Sequence, residues 1–132
     1  MIVLDASVLA NVVGDDGPIG DSARARLEAA GEASIPDLAD VETVAVLRKR
    51  WLGGGLTAHR FRSAVDDLVA LPLDRFPTGP LMIRAYELRA NVTAYDASYV
   101  VLAEGLACTL VTADARLARA PAITCPVEVF SA

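Results

Sequence analysis

Four carboxylates stand out in this chain for their positions. Asp5 ends the apolar run Ile2-Val3-Leu4, and Asp114 follows Leu110-Val111-Thr112-Ala113. A strand-forming run that breaks at an aspartate places a carboxylate at the carboxyl end of a buried strand, the edge where open α/β sheets bind ligands. Asp96 comes early in a helical pattern starting near Tyr95, and Glu42 early in a longer one starting at Leu38. On a helical projection Glu42 falls between Leu38, Ala45 and Val46, inside the apolar arc. A glutamate there needs a partner. Lys49 lies two turns away, about 10 Å along the helix, so a metal or an arginine from elsewhere suits Glu42 better. Each of the other three acids has an ordinary explanation: Asp5 and Asp114 as helix N-caps, and Asp96 as the acid of a capping box, Thr93-x-x-Asp96. In one cleft the four would repel strongly, a pair about 4 Å apart by roughly 4 kcal/mol at an effective dielectric near 20. A hard divalent cation removes that repulsion, and oxygen-only donors favour Mg²⁺ or Mn²⁺ over zinc. The one histidine, His59, sits in His59-Arg60-Phe61-Arg62 and gives zinc or histidine-base chemistry little support.

The elements that must hold these acids alternate. Strands are expected at Met1 to Leu4, Ala33 to Pro36, Leu71 to Leu73 (a weak edge strand), Cys108 to Thr112 and Pro126 to Phe130. Between them come helices over Ser7 to Val13, Ile19 to Ala30, Leu38 to Leu52, Thr57 to Ala70 and Tyr95 to Gly105, helical spacing over Pro80 to Ala90, and a short turn after Asp114. Gly14-Asp15-Asp16-Gly17-Pro18 and Gly53-Gly54-Gly55 are breakers, and Asp37 is the expected N-cap of the long helix. This alternation implies a mostly parallel sheet covered on both faces.

With 132 residues, 54% apolar and 22% charged, the chain fits a single domain, 1–132, able to bury its core without disulfides. Cys108 and Cys125 lack metal-ligand spacing and are expected as buried thiols. Asp5 interrupts any signal-peptide core, and the apolar stretch Ala97 to Val111 carries Glu104 and is too short to span a bilayer, so a cytoplasmic location is expected, with no membrane partner. The net charge of −5 argues against a nucleic-acid partner unless the acids are gathered on cations, and setting four aside leaves a nearly neutral balance. Eleven of the twelve bases are arginine, the better bidentate phosphate ligand.

Four segments in order resemble the PIN-domain ribonucleases, and among them the VapC toxins of bacterial VapBC toxin-antitoxin pairs. They are Val3-Leu4-Asp5-Ala6-Ser7, Asp40-Val41-Glu42-Thr43-Val44 with Leu47-Arg48, Tyr95-Asp96-Ala97-Ser98-Tyr99-Val100-Val101-Leu102-Ala103, and Leu110-Val111-Thr112-Ala113-Asp114-Ala115-Arg116-Leu117. The resemblance implies a three-layer α/β/α sandwich with a mostly parallel sheet. It implies Asp5, Glu42, Asp96 and Asp114 as the metal-binding quartet, with Thr112 and Ser7 as small polar residues beside them. The implied activity is endoribonuclease hydrolysis of phosphodiester bonds with Mg²⁺ or Mn²⁺. The implied partners are an RNA substrate, a VapB-like antitoxin that covers the acidic cleft, and a second copy of the chain. Some members of that family carry a further acid shortly after the last aspartate, where this chain has Ala115, Arg116 and Leu117.

Arg48, Arg84, Arg89 and Arg116 are the substrate-positioning candidates, Trp51, Tyr86, Tyr95 and Tyr99 could stack on bases, and Tyr95 and Tyr99 are expected as core. Thr57 to Ala70, with Phe61, Val65 and Leu68 on one side, could form an antitoxin groove wall or simply pack on the core. A haloacid-dehalogenase-type phosphatase would need an aspartate at Ser7, and a phospho-acceptor receiver would need an early acidic pair and a late lysine. A domain of the same fold that binds RNA or a partner without cutting is the remaining alternative.

Overall fold

The computed structural model describes residues 1–131. Strand β1 (Ile2–Leu4) is wholly buried and lies at the centre of a five-stranded sheet with β2 (Ala33–Pro36), β3 (Asp74–Phe76), β4 (Thr109–Thr112) and β5 (Val127–Val129). The spatial order is β3-β2-β1-β4-β5, and every neighbouring pair is parallel. The chain works outward from β1 to β3, then crosses back to β4 and on to β5. The order therefore reverses between β1 and β4, where their carboxyl ends leave a crevice. Val3 pairs with Leu110 and Leu4 with Val111, and the Asp5 amide extends the ladder by donating to the Val111 carbonyl at 3.0 Å.

Helices α1 (Ala6–Gly14), α2 (Pro18–Ala30), α3 (Leu38–Leu52) and α4 (Ala58–Ala70) pack together around α1. Helix α6 (Ala94–Leu106) packs on β1, β2 and β4 and carries the short α5 (Met82–Glu87), while α7 (Ala115–Ala118) links β4 to β5. Right-handed crossovers in opposite directions from the centre put these two groups on opposite faces, which makes the α/β/α sandwich. Val3, Leu4, Leu9, Ile35, Leu47, Val100 and Leu110 fill the core between the layers. Among the described residues no helix is long and apolar enough to cross a membrane.

Several local expectations are corrected. The third strand is Asp74–Phe76, at the sheet edge but beyond the expected Leu71 to Leu73, because Leu71 ends α4 by donating to Asp67 and Leu68. The helical pattern over Pro80 to Ala90 divides into a 3-10 turn at Gly79–Leu81 and α5. Asp37 precedes α3 but makes no side-chain cap bond. Helix α6 runs one residue past the expected Gly105, to Leu106, and its left-handed cap is Ala107 at φ 51, where the Cys108 amide donates to the Ala103 carbonyl and closes the helix end. Cys125 is buried as expected, its thiol pushed up to about 11 by burial, whereas Cys108 is only half-buried.

The Gly14-to-Pro18 breaker is built around Asp15. Its Oδ1 accepts the amides of Gly17 at 2.8 Å and Gly20 at 3.0 Å, tying the end of α1 to the start of α2. A Cβ on Gly20 would stand 1.8 Å from the Asp15 carbonyl oxygen, whereas one on Gly105, exposed in α6, would meet nothing within 4 Å. One substitution should therefore have opposite effects: Gly20→Ala lowers stability by about 2 kcal/mol through the enforced backbone shift, and Gly105→Ala raises it by about 0.5 kcal/mol through helix propensity. Urea denaturation of both variants measures the two signs.

Candidate active site

Asp5 is the fixed point of the site. It precedes α1 but makes no side-chain cap bond, so its carboxylate is not consumed by the helix end. Its Oδ2 accepts the Thr112 hydroxyl at 2.6 Å and the Ser7 hydroxyl at 3.0 Å. A hydroxyl can donate and accept together, and both do: Thr112 Oγ1 receives the Asp114 amide at 3.1 Å, and Ser7 Oγ receives the Ala113 amide at 3.1 Å. The two hydroxyls fasten the end of β1 to the loop after β4 and, among the described residues, leave Asp5 Oδ1 without a hydrogen bond. Asp5 and Thr112 are both buried.

Glu42 enters from the second turn of α3. Its Oε1 accepts the Tyr99 hydroxyl at 2.6 Å, so its hydrogen-bond partner among the described residues is a phenol, and neither a distant arginine nor Lys49. Tyr99 reaches it from α6 across the core at 1% exposure, and burial, followed by the Glu42 contact, pushes its pKa far above the ordinary value. It therefore stays a donor. Burial also raises Glu42, opposed by the Tyr99 bond and reinforced by the charges of Asp5 and Asp96.

Asp96 occupies the first turn of α6, its amide held by the Thr93 hydroxyl at 3.2 Å. Only that half of the expected capping box forms; the carboxylate stays with the site. Burial and the charges of Asp5 and Asp114 raise its pKa against the opposing pull of Thr93 and Arg116. Asp114 does cap α7, accepting the Arg116 amide at 2.9 Å, and the Arg116 guanidinium also grips it bidentately at 3.1 and 2.9 Å. The Arg116 hydrogen bond holds Asp114 below the usual carboxylate range despite partial burial.

All four acids, with Ser7, line one cleft of about 450 Å³, whose far wall is Ala45, Val46 and Lys49 of α3. An adjoining hollow of about 210 Å³ shares Asp96 and Asp114 and adds Asn91, Thr93 and Arg116. Among the described residues no three acidic, histidine or cysteine side chains close on a common point, so the carboxylates surround the cleft without forming a cage. An open, oxygen-only donor set suits Mg²⁺ or Mn²⁺, which retain several waters and take one or two carboxylates directly. Asp5, through its free Oδ1, and Asp96 are placed to hold such an ion.

The structure thus brings together Asp5, Glu42, Asp96, Asp114, Thr112 and Ser7. Of the arginines expected to position a substrate, only Arg116 is at the site. Arg84 is tied to Glu104, Arg89 lies 4.1 Å over the Tyr86 ring, and Arg48 lines neither hollow. Tyr86 and Tyr95 are exposed, the latter against expectation, and Trp51 is tilted against Phe61. The inner side of α4, with Ala64 and Leu68 buried and Phe61 and Val65 packed on the core, serves attachment to the molecule. The role of the Tyr99 hydroxyl was missed in the sequence, although a buried tyrosine calls for a polar partner.

A comparison with protein families matches residues 2–123 to the family described as PIN domain. Among curated proteins, the chain is 42% identical to Ribonuclease VapC9 of Mycobacterium tuberculosis over 98% of each chain, and 35% identical to Ribonuclease VapC12 of the same organism over 99% of this chain and 100% of that one. Among solved structures, VapBC2 from Rickettsia felis, bound to a DNA fragment from its promoter, superposes with a TM-score of 0.73 at 17% identity, covering 99% of this chain and 100% of that one. With the fold, the placement of the acids and the full-length identity in agreement, the chain belongs to the PIN-domain family and groups with its VapC members.

Proposed function

We propose that this chain is a divalent-metal-dependent endoribonuclease, the toxin of a toxin–antitoxin pair, with residues 1–132 forming one catalytic unit. The observation that carries the reading is the cleft in which Asp5, Glu42, Asp96 and Asp114 face one another with Asp5 fixed by two hydroxyls. The names of its relatives, Ribonuclease VapC9 and Ribonuclease VapC12, support RNA as the substrate.

Asp5 and Asp96 hold a Mg²⁺ or Mn²⁺ ion, with Glu42 and Asp114 contributing to its charge balance. The ion supplies charge stabilisation at the scissile phosphate and makes a nearby water more acidic. Thr112 and Ser7 keep Asp5 in one orientation by occupying Oδ2. Tyr99 does the same for Glu42 through Oε1, leaving Oε2 to accept a proton from the attacking water, a task helped by the burial that raises this carboxyl above its ordinary value. The acidic cleft also attracts a cationic partner segment, which supports inhibition by a VapB-like antitoxin, and the toxin would pair with a second copy of itself.

Purified protein incubated with total bacterial RNA should make discrete cuts in Mg²⁺ or Mn²⁺, none in EDTA, and none with Asp5→Asn or Asp96→Asn. Intact RNA under every metal condition, with folding verified by circular dichroism, would favour a binding module instead.

The hydroxyls that orient the acids have their own signature. Tyr99→Phe and Thr112→Val should each lower metal affinity or activity by about 10- to 100-fold while the circular dichroism spectrum is retained, and isothermal titration calorimetry with Mn²⁺ separates the two.

Stability adds a pH test. Because Glu42 and Asp96 are raised in the folded chain, folding favours their protonated forms, and their contribution to stability declines as pH rises through the raised values. The metal-free melting temperature should therefore fall on going from mildly acidic to neutral pH, Asp96→Asn should reduce that fall, and Mn²⁺ should reverse it. Differential scanning calorimetry across pH with EDTA or Mn²⁺ measures all three.

A further inference from the structure

Among the described residues nine of the twelve basic side chains of this protein are engaged, and Arg48, Lys49 and Arg119 are not. Among the described residues seven pair with carboxylates, Arg84 with Glu104 and Arg116 with Asp114 among them. Arg50 donates to Asn11, and Arg89 lies over Tyr86. Lys49, the one lysine in the chain, is exposed, has no ion pair among the described residues, and is the one basic residue lining the cleft of the four acids.

Its place on α3 is specific. Glu42, Ala45, Val46 and Lys49 follow the i, i+3, i+4, i+7 spacing of one helix face, and all four line the cleft. Lys49 lies about 10 Å beyond Glu42 along the helix. That is too far to neutralise Glu42, whose partner is Tyr99, and far enough to reach past a phosphate bound among the acids. Ala45 is exposed and Val46 half-buried, so a low apolar floor separates the acidic end of the cleft from the ammonium. A polyanion entering a cleft of four carboxylates meets repulsion except where a cation receives it, and Lys49 is the unpaired cation at that wall.

We propose that Lys49 is a substrate-binding residue: its ammonium binds the backbone phosphate of a nucleotide flanking the scissile phosphate, while Ala45 and Val46 support that nucleotide. The inference rests on the ribonuclease reading and names where the strand runs, outward from the acids along α3. Lysine acts here as a point charge, so the contact fixes the path of the backbone and carries no base specificity.

The test is fluorescence anisotropy of a labelled single-stranded oligoribonucleotide in Mg²⁺ over a salt series. The proteins are the full chain with Asp5→Asn to prevent cleavage, and the same chain with Lys49→Ala, Lys49→Glu or Lys49→Arg. Lys49→Ala should weaken binding about tenfold and make the plot of log affinity against log salt shallower by about 0.7, the share of one phosphate contact on a single strand. Lys49→Glu should bind more weakly still, and Lys49→Arg should restore both quantities. In the Asp5 chain, Lys49→Ala should raise KM about tenfold and move kcat less than twofold. Unchanged affinity and slope in Lys49→Ala overturns the assignment, and it falls alone if the Asp5 chain still cuts RNA. If no form binds or cuts RNA, the assignment and the ribonuclease reading fall together.

Discussion

Mutual repulsion among carboxylates is the constraint around which this molecule is arranged. Four acids from β1, α3, α6 and the loop after β4 face one cleft, and such a cluster could relieve itself by opening. The fold prevents that with backbone. Asp5 is anchored through its amide to Val111 in the central ladder, Glu42 and Asp96 sit in the opening turns of packed helices, and Asp114 is fixed as the cap of α7. The hydroxyls of Ser7, Thr112 and Tyr99 then fix the rotamers of Asp5 and Glu42. The acids are held in place and can only take up protons or attract a cation.

The compensation for this charge is uneven, and the unevenness divides the roles. Asp114, nearer solvent, already has a cation in Arg116 and is held low, while Glu42 and Asp96 are pushed up by burial and by their acidic neighbours. Electrostatic demand is therefore greatest at the inner side of the cleft, between Asp5, Glu42 and Asp96. Away from the site, charges are paired between elements. Arg26 joins α2 to Glu128 on β5, Arg75 joins β3 to Asp40 on α3, and Arg84 joins α5 to Glu104 on α6. These pairs are partly exposed, so their effect is orientation of elements more than stability.

Much of this was legible in the sequence because the strongest signals are local. Apolar runs ending at Asp5 and Asp114 marked the carboxyl edge of the sheet, and the apolar arc around Glu42 showed a buried acid awaiting a partner. What was not legible depends on residues distant in sequence or on space alone. Tyr99 meets Glu42 only because α6 and α3, from opposite faces of the sheet, bring these two side chains together at the cleft, and no periodicity encodes that meeting. Helix α6 ends one residue past the expected Gly105, because the left-handed turn that closes it falls on Ala107, a residue type that carries no such signal. Arg84 looked free in sequence because Glu104 is twenty residues away. The corrected β3 follows from backbone bonds of Leu71 that its apolar neighbours do not disclose.

The central claim is that the four carboxylates act together as one divalent-cation site, and crystallography with Mn²⁺ tests it most directly. An anomalous difference map from crystals of the full chain grown in Mn²⁺ should show a peak within coordination distance of Asp5 Oδ1 and the Asp96 carboxylate, with Thr112, Ser7 and Tyr99 still in place behind the acids. A well-occupied manganese elsewhere on the molecule, with this cleft empty at the same concentration, would contradict the account.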